Sequence, residues 1–305
     1  MTLPDAIRTE SLTKYYGPVV ALESLDLTVA PGEIYGFLGP NGAGKTTTIR
    51  ILLDLVRPTS GRARVEGLDC RAASVEVRRR IGYLPAEMPL YREMTGARYL
   101  QFLSALESRP VDESYRRKLF ARFDVSDVDL GRRLDHLSHG MKRKFGIIQA
   151  LMGRPSLLIL DEPTSGLDPL MIEAFAQTVH DLKTEGRTTI FLSSHVLSEV
   201  ERLCDRVGII RRGRLVRQTS IADLRRDTPR RLRVFFDGPA PPPPSSLAAV
   251  LRRSDARHWE LEWPGPLGGV LDALQGLPVS DIEIEPFKLE DYVLKIYSAT
   301  PGARV

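Results

Sequence analysis

A run of five apolar or small residues, Ile34, Tyr35, Gly36, Phe37 and Leu38, stops at the glycine-rich stretch GPNGAGKTT, residues 39–47. Beyond it, Ile49, Leu52, Leu53 and Val56 recur at helical spacing. The pattern predicts a buried strand, a loop and a helix over 47–56. Upstream, loose alternation over 7–15 and 25–29 predicts two strands, broken at Tyr16-Gly17-Pro18 and closed by the turn at Pro31-Gly32. Downstream come a short strand over 62–66, a basic helix over 73–80 and a strand over 81–84 that ends at Pro85. Residues 85–136 carry no strand signal. They predict an amphipathic helix over 95–106, capped by Thr95, and a more charged helix over 112–123.

From 137 the pattern is again strongly ordered. Ser138 caps a helix over 137–152 with Met141, Phe145, Ile148 and Leu151 on one face. The apolar run over 157–160 leads into Asp161 and Glu162, and Asp168-Pro169 opens a helix to about 183. A strand over 188–192 delivers Ser193, Ser194 and His195, and 207–216 predicts a hairpin around Arg212-Gly213. A short helix over 220–226 closes the domain. After Thr228-Pro229 the composition shifts. Strands at 231–236, 258–263 and 281–285 and helices at 247–253, 268–275 and 289–297 predict a small α+β unit, with a stiff proline-rich loop at 238–246. Expected domains are therefore 1–227, with a helical insertion at about 85–152, and 228–305.

Composition narrows the class. With 305 residues, 42% hydrophobic and 27% charged, the chain reads as a soluble globular protein. No apolar run approaches the roughly 20 residues needed to span a bilayer, and no signal-peptide pattern is seen. Cys70 and Cys204 lack metal-ligand spacing, which suits a reducing cytosol. A net charge of +4 is too mild to argue for nucleic acid.

The chemistry lies in the glycine-rich stretch. Gly39, Gly44, Lys45 and Thr46 fit the phosphate-loop spacing G-x-x-x-x-G-K-[ST], in the strand–loop–helix context that gives it meaning. Glycines let backbone N–H groups turn inward toward a polyphosphate, and the helix start adds partial positive charge. Lys45 supplies a full charge for the β and γ phosphates, and the Thr46 hydroxyl is a hard oxygen ligand for Mg²⁺. Asp161 and Glu162, at a strand end, are candidates to hold Mg²⁺ and to orient an attacking water. His195, also at a strand end, is a candidate phosphate contact. Tyr16 reads equally as a platform for a planar base or as an edge tyrosine.

The phosphate loop, LSHGM (137–141), LLILDE (157–162), SGLD (165–168) and SSH (193–195), in this order, resemble the nucleotide-binding subunit of an ABC transporter over residues 7 to about 225. The resemblance implies a phosphate-loop nucleoside triphosphatase fold of α/β class, with a mixed sheet and a helical subdomain. It implies that Tyr16 stacks on adenine and that Gly39, Pro40, Asn41, Gly42, Ala43, Gly44, Lys45, Thr46 and Thr47 hold the phosphates of ATP. Asp161 is then the magnesium residue, Glu162 the general base, and His195 a γ-phosphate contact. Asp168 is the D-loop aspartate, and Ser138, His139, Gly140 and Met141 form a signature that reaches the ATP of a second copy. The implied assembly is a head-to-tail homodimer over two ATP. It works with a transmembrane permease on the inner face of the cell membrane.

Two motifs depart from the family pattern. His139 and Met141 stand where a glycine and a glutamine are usual, and Ala86, followed by Glu87, stands at the expected Q-loop glutamine. Glu87 is therefore expected to substitute in part toward magnesium. The segment 230–305 is similar to C-terminal extensions of drug-export ATPases, which implies export of a small molecule such as a drug or antibiotic. The alternative is a soluble ATPase of the same type acting on a ribosome or on DNA.

Overall fold

All five residues of Ile34–Leu38 are buried, as are all of Leu157–Asp161 and Thr189–Ser194. Strands buried on both faces read as continuous apolar runs, and they belong in a parallel sheet covered by helices. In the computed structural model, which describes residues 4–88, 91, 93–106, 111–227, 229–263, 267–285 and 288–293, this is what they form. The six-stranded sheet runs in the order Arg214–Ser220, Arg206–Arg211, Ile34–Leu38, Thr189–Ser194, Leu157–Asp161, Ile81–Leu84. Ile34–Leu38 is parallel to both its neighbours, and Leu157–Asp161 to both of its own. The register pairs Leu38 with Ser194, Asp161 with Ser193 and Leu84 with Leu160. Four strands therefore end level at one edge.

A second, antiparallel sheet runs Val19–Val29, Ile7–Tyr16, Ser60–Val65, Leu68–Asp69. Its Ile7, Leu22, Leu25 and Val65 share one buried cluster with Tyr35, Phe37, Ile49, Ile159 and Phe191 of the main sheet and the loop helix. Phe191 is the hinge of that cluster, stacked on Tyr35 at 5.8 Å and tilted against Phe37 at 5.4 Å. The helix Leu197–Leu203 packs so closely on the central strand that a Cβ at Gly36 would lie 2.6 Å from Val200 Cγ1.

Several elements differ from the sequence pattern. The second strand begins at Val19 and not at 25, because Gly17, at a φ of +56°, makes a tight hairpin that pairs Tyr16 with Val19. The loop helix is Lys45–Leu52; Asp54 turns left-handed at +54°, so Val56 packs on the core from beyond the helix. In the insertion, Gly96–Leu106 and Glu113–Arg122 form as expected, with Thr95 Oγ1 accepting from Arg98 N. An unexpected one-turn helix, Asp127–Gly131, is held by a reciprocal Ser126–Asp129 capping box. It is too short for periodicity to reveal, as is Leu197–Leu203.

The chain divides into two units, Met1–Thr219 and Ser220–Val305. The division falls ahead of the boundary expected at 227/228, since the helix Ile221–Asp227 groups with the second unit. That unit has a four-stranded antiparallel sheet in the order Leu251–Ser254, His258–Trp263, Arg230–Phe236, Val279–Ile284. Leu232, Val234, Trp259, Leu261 and Val270 form its core. The helix expected over 247–253 is instead a single turn, Ser245–Ala248, followed by the edge strand Leu251–Ser254, because pairing with His258–Trp263 overrides local helix preference. Positions 289–293 are helical, and the rest of the helix expected to 297 lies outside the described residues. Among the described residues no helix is long and apolar enough to cross a membrane.

The insertion's last helix, His139–Met152, seats on Ile81–Leu84 so closely that a Cβ at Gly82 would come within 2.1 Å of the Ala150 carbonyl oxygen. Backbone cannot yield as a side-chain tip does. Gly82→Ala is expected to cost about 1–3 kcal/mol, as overpacked cores do. Gly131→Ala, where a Cβ meets nothing within 4 Å, should stay within about 0.5 kcal/mol. Urea denaturation midpoints of the two variants check this.

Candidate active site

The loop 39–47 leaves the central strand at the level edge. Gly39 N–H donates to Ser194 O at 3.3 Å, and Ala43 N–H donates to Pro40 O at 3.1 Å. Two positions hold a positive φ that favours glycine. Gly44 sits at a φ of +112° with a Cβ position only 2.7 Å from Ala21 O, and Gly42 at +77°. The helix Lys45–Leu52 then starts with its free N–H groups facing the loop. Pro40, Asn41 and Gly42 are exposed, Ala43 and Gly44 buried, and Thr46 and Thr47 half-buried. Lys45 is 5% exposed, and its Nζ donates to Gly39 O at 2.6 Å and Pro40 O at 3.3 Å. The ammonium is thus folded back over the loop, ready to meet an anion seated there.

The strand Leu157–Asp161 brings two carboxylates to this edge. Asp161 is fully buried; Oδ2 accepts from Thr46 Oγ1 at 2.9 Å and Oδ1 from Ser193 Oγ. Glu162 bridges the next two groups. Its Oε1 lies 3.4 Å from Lys45 Nζ, and its Oε2 accepts from His195 Nδ1 at 2.7 Å. Lys45, Glu162 and His195, from three different segments, therefore meet in one cluster beside the Thr46–Asp161 pair. Glu162 is held with a left-handed φ of +51°, which costs a non-glycine residue about 1–2 kcal/mol. Glu162 N–H donates to Ser193 O at 3.1 Å, which helps hold this turn.

Arg143 completes the hold, and the motifs did not single it out. It is 2% exposed, on the helix His139–Met152. Its guanidinium donates to the carbonyls of Asp161 (2.7 Å), Glu162, Pro163 (3.1 Å), Pro85 (2.6 Å) and Ala86 (3.1 Å). Burial pushes its pKa down to about 10, opposed by the Asp161 and Glu162 carboxylates, so it stays a cation at neutral pH. Within the basic run KRK it looks like solvated charge. The available signal was its helical spacing with Ile147 and Ala150, both buried.

The other candidate residues are engaged locally. Tyr16 is 44% exposed, with Lys14 Nζ 4.8 Å from its ring centroid. Ser138 Oγ accepts from Met141 N at 3.2 Å as an N-cap, with Gly140 half-buried behind it. Asp168 caps Pro169–Glu185 by accepting from Met171 N at 3.0 Å. The His139 ring lies over Gly166, where a Cβ would come within 2.3 Å of Cδ2. Glu87 is exposed and lines a cavity of about 1160 Å³ together with Thr46, Asp161, Tyr83, Ala86 and Gln149.

The pair Thr46–Asp161 offers adjacent hard oxygens, the donor set that Mg²⁺ takes together with phosphate and water. Among the described residues no cluster of three His, Cys, Asp or Glu side chains forms a closed metal cage. A cradle of backbone N–H groups, one lysine, one such pair and a carboxylate–imidazole couple together suit phosphoryl transfer.

The ABC transporter family profile matches residues 22–165. The bacitracin transport ATP-binding protein of Bacillus licheniformis is 34% identical over an alignment of 313 residues, covering 95% of this chain and 96% of that protein. The daunorubicin resistance ATP-binding protein of Streptomyces coeruleorubidus is 37% identical over 226 residues, 73% of this chain and 71% of the relative. Among solved structures, an ATP-binding subunit of an ABC transporter superposes with a TM-score of 0.66 at 31% identity, over 74% of this chain and 92% of that one. A dimeric bacterial ABC transporter cassette, 22% identical, shares the fold at a TM-score of 0.65 over 70% of this chain and 98% of its own. The chain belongs to the ABC transporter family, as an ATP-binding subunit that hydrolyses ATP.

Proposed function

We propose that Glu162 orients the water that attacks the γ-phosphate of ATP, and that this hydrolysis powers export of a small molecule, such as a drug or antibiotic, through separate membrane subunits. The observation that carries the chemistry is the bridge Lys45–Glu162–His195 at the sheet edge where the phosphate loop begins. The transport half rests on relatives whose names specify bacitracin transport and daunorubicin resistance.

In this mechanism the N–H groups of residues 39–47 and the helix start cradle the phosphates, and Lys45 exchanges part of its carbonyl contacts for phosphate oxygens. Thr46 and Asp161 would hold Mg²⁺, which when bound supplies charge neutralisation on the phosphates. Glu162, freed from Lys45 as the lysine turns to the substrate, accepts a hydrogen bond from the water. His195 keeps the carboxylate aimed and contacts the γ-phosphate. Tyr16 would stack on the base with its exposed ring. Ser138 to Met141 and Asp168 would face the nucleotide of a second copy, so that the chain works as a head-to-tail homodimer. We further propose a cytoplasmic location against the permease at the inner membrane face. Glu87, lining the cavity that Thr46 and Asp161 share, would supply a weak oxygen ligand in place of the glutamine that Ala86 lacks.

Glu162→Gln keeps the shape and the hydrogen-bonding reach but loses the charge. Turnover should fall about 100-fold or more, with ATP affinity retained. Undiminished phosphate release would remove Glu162 from the role. Glu87→Ala should raise the magnesium concentration for half-maximal ATPase activity several-fold; an unchanged magnesium titration would show that Glu87 plays no such part. Co-purified with its membrane subunits in vesicles, the chain should hydrolyse ATP faster when the exported compound is added. A panel of peptide antibiotics and anthracyclines that leaves the rate flat would count against export of this class.

A further inference from the structure

The guanidinium of Arg143 has five N–H groups, and the site shows five donations from it, each to a main-chain carbonyl. No carboxylate takes one of them. A buried cation whose every proton faces neutral backbone is a geometric clamp more than an ion pair. It holds two segments. One is residues 161–163, where Glu162 is kept in its left-handed turn. The other is Pro85–Ala86, the first two residues after Ile81–Leu84. Those two strands pair only as far as Leu84 with Leu160, and beyond the ladder Arg143 joins the chain on either side. The 85–88 segment is also seated on the same helix one turn later, where a Cβ at Gly146 would lie 2.5 Å from Met88 Sδ. The segment walls the cavity that contains Thr46 and Asp161. Ala86 has no side chain that can reach across it.

We propose that Arg143 is a positioning residue that transmits displacement of the 85–88 segment to Glu162 through main-chain carbonyls, replacing the side-chain link that alanine at position 86 cannot make. A shift of Pro85 and Ala86 moves the guanidinium, and the guanidinium moves the carbonyls of 161–163 from which the Glu162 carboxylate hangs. Lysine at 143 keeps the charge but presents one nitrogen in place of a planar fork, so it cannot hold both segments at once. The proposal rests on Glu162 being the hydrolytic carboxylate.

The test uses the full chain carrying Tyr91→Cys, labelled with an environment-sensitive maleimide dye. Tyr91 is 52% exposed. The native thiols do not compete: Cys70 and Cys204 are buried, and burial pushes the Cys70 pKa up to about 12 and raises that of Cys204 as well. In the labelled parent, MgATP should change the dye's emission. In Arg143→Lys that change should shrink about fivefold or more and kcat should fall about tenfold or more, with KM for ATP within about twofold, the pattern of a misplaced catalytic group. Arg143→Gln, neutral and shorter, should show the same split and guards against one variant folding poorly. The proposal is overturned if kcat in Arg143→Lys stays within about twofold of the parent. It is equally overturned if the labelled parent shows no ATP-dependent emission change, or if kcat and ATP affinity fall together in both variants while the dye response survives. A parent chain that hydrolyses no ATP would instead remove the ATPase mechanism itself.

Discussion

The parallel register of four strands is the constraint on which the site depends. Leu38 lies level with Ser194, Ser193 with Asp161, and Leu160 with Leu84. The strands Ile34–Leu38, Leu157–Asp161 and Thr189–Ser194 are buried throughout, so a slip along the ladder would part Asp161 from Ser193 and Thr46. Burial of Phe37, Ile159 and Phe191 in one cluster therefore sets the height at which Gly39, Glu162 and His195 emerge. The chemistry is assembled by hydrophobic packing a few ångströms below it.

Two buried cations divide the electrostatics of that edge between them. Lys45 is held by two carbonyls and one carboxylate at 2.6–3.4 Å, contacts that a compact, rotatable ammonium can trade for phosphate. Arg143 is held by five carbonyls in the plane of its fork, and none can be exchanged without leaving a buried group unsatisfied. One cation is poised to exchange its partners for substrate and the other to keep its own. The left-handed backbone at Glu162 is sustained by the second.

The segment 138–141 and Asp168 use the same device twice. Ser138 and Asp168 are N-caps, satisfying the first free N–H groups of their own helices. His139 adds a contact that glycine would lack: its ring rests on Gly166, so the 137–141 and 165–168 stretches of one chain are in direct contact.

The sequence by itself determined the strand–loop–helix, the level acids and the strand-end histidine, because each is written in short-range patterns: a buried apolar run, glycines at fixed spacing, a cap before a periodic helix. Elements of a single turn, such as Asp127–Gly131, and the strand Leu251–Ser254 escaped it, because capping pairs and cross-strand pairing outweigh local propensity there. Only the tertiary structure decided that Lys45, Glu162 and His195 touch, and that Arg143, one member of an ordinary-looking basic run, is the buried clamp behind them. Such contacts join residues far apart in the chain, and they are selected by packing and by the need to satisfy buried carbonyls, which no local pattern encodes.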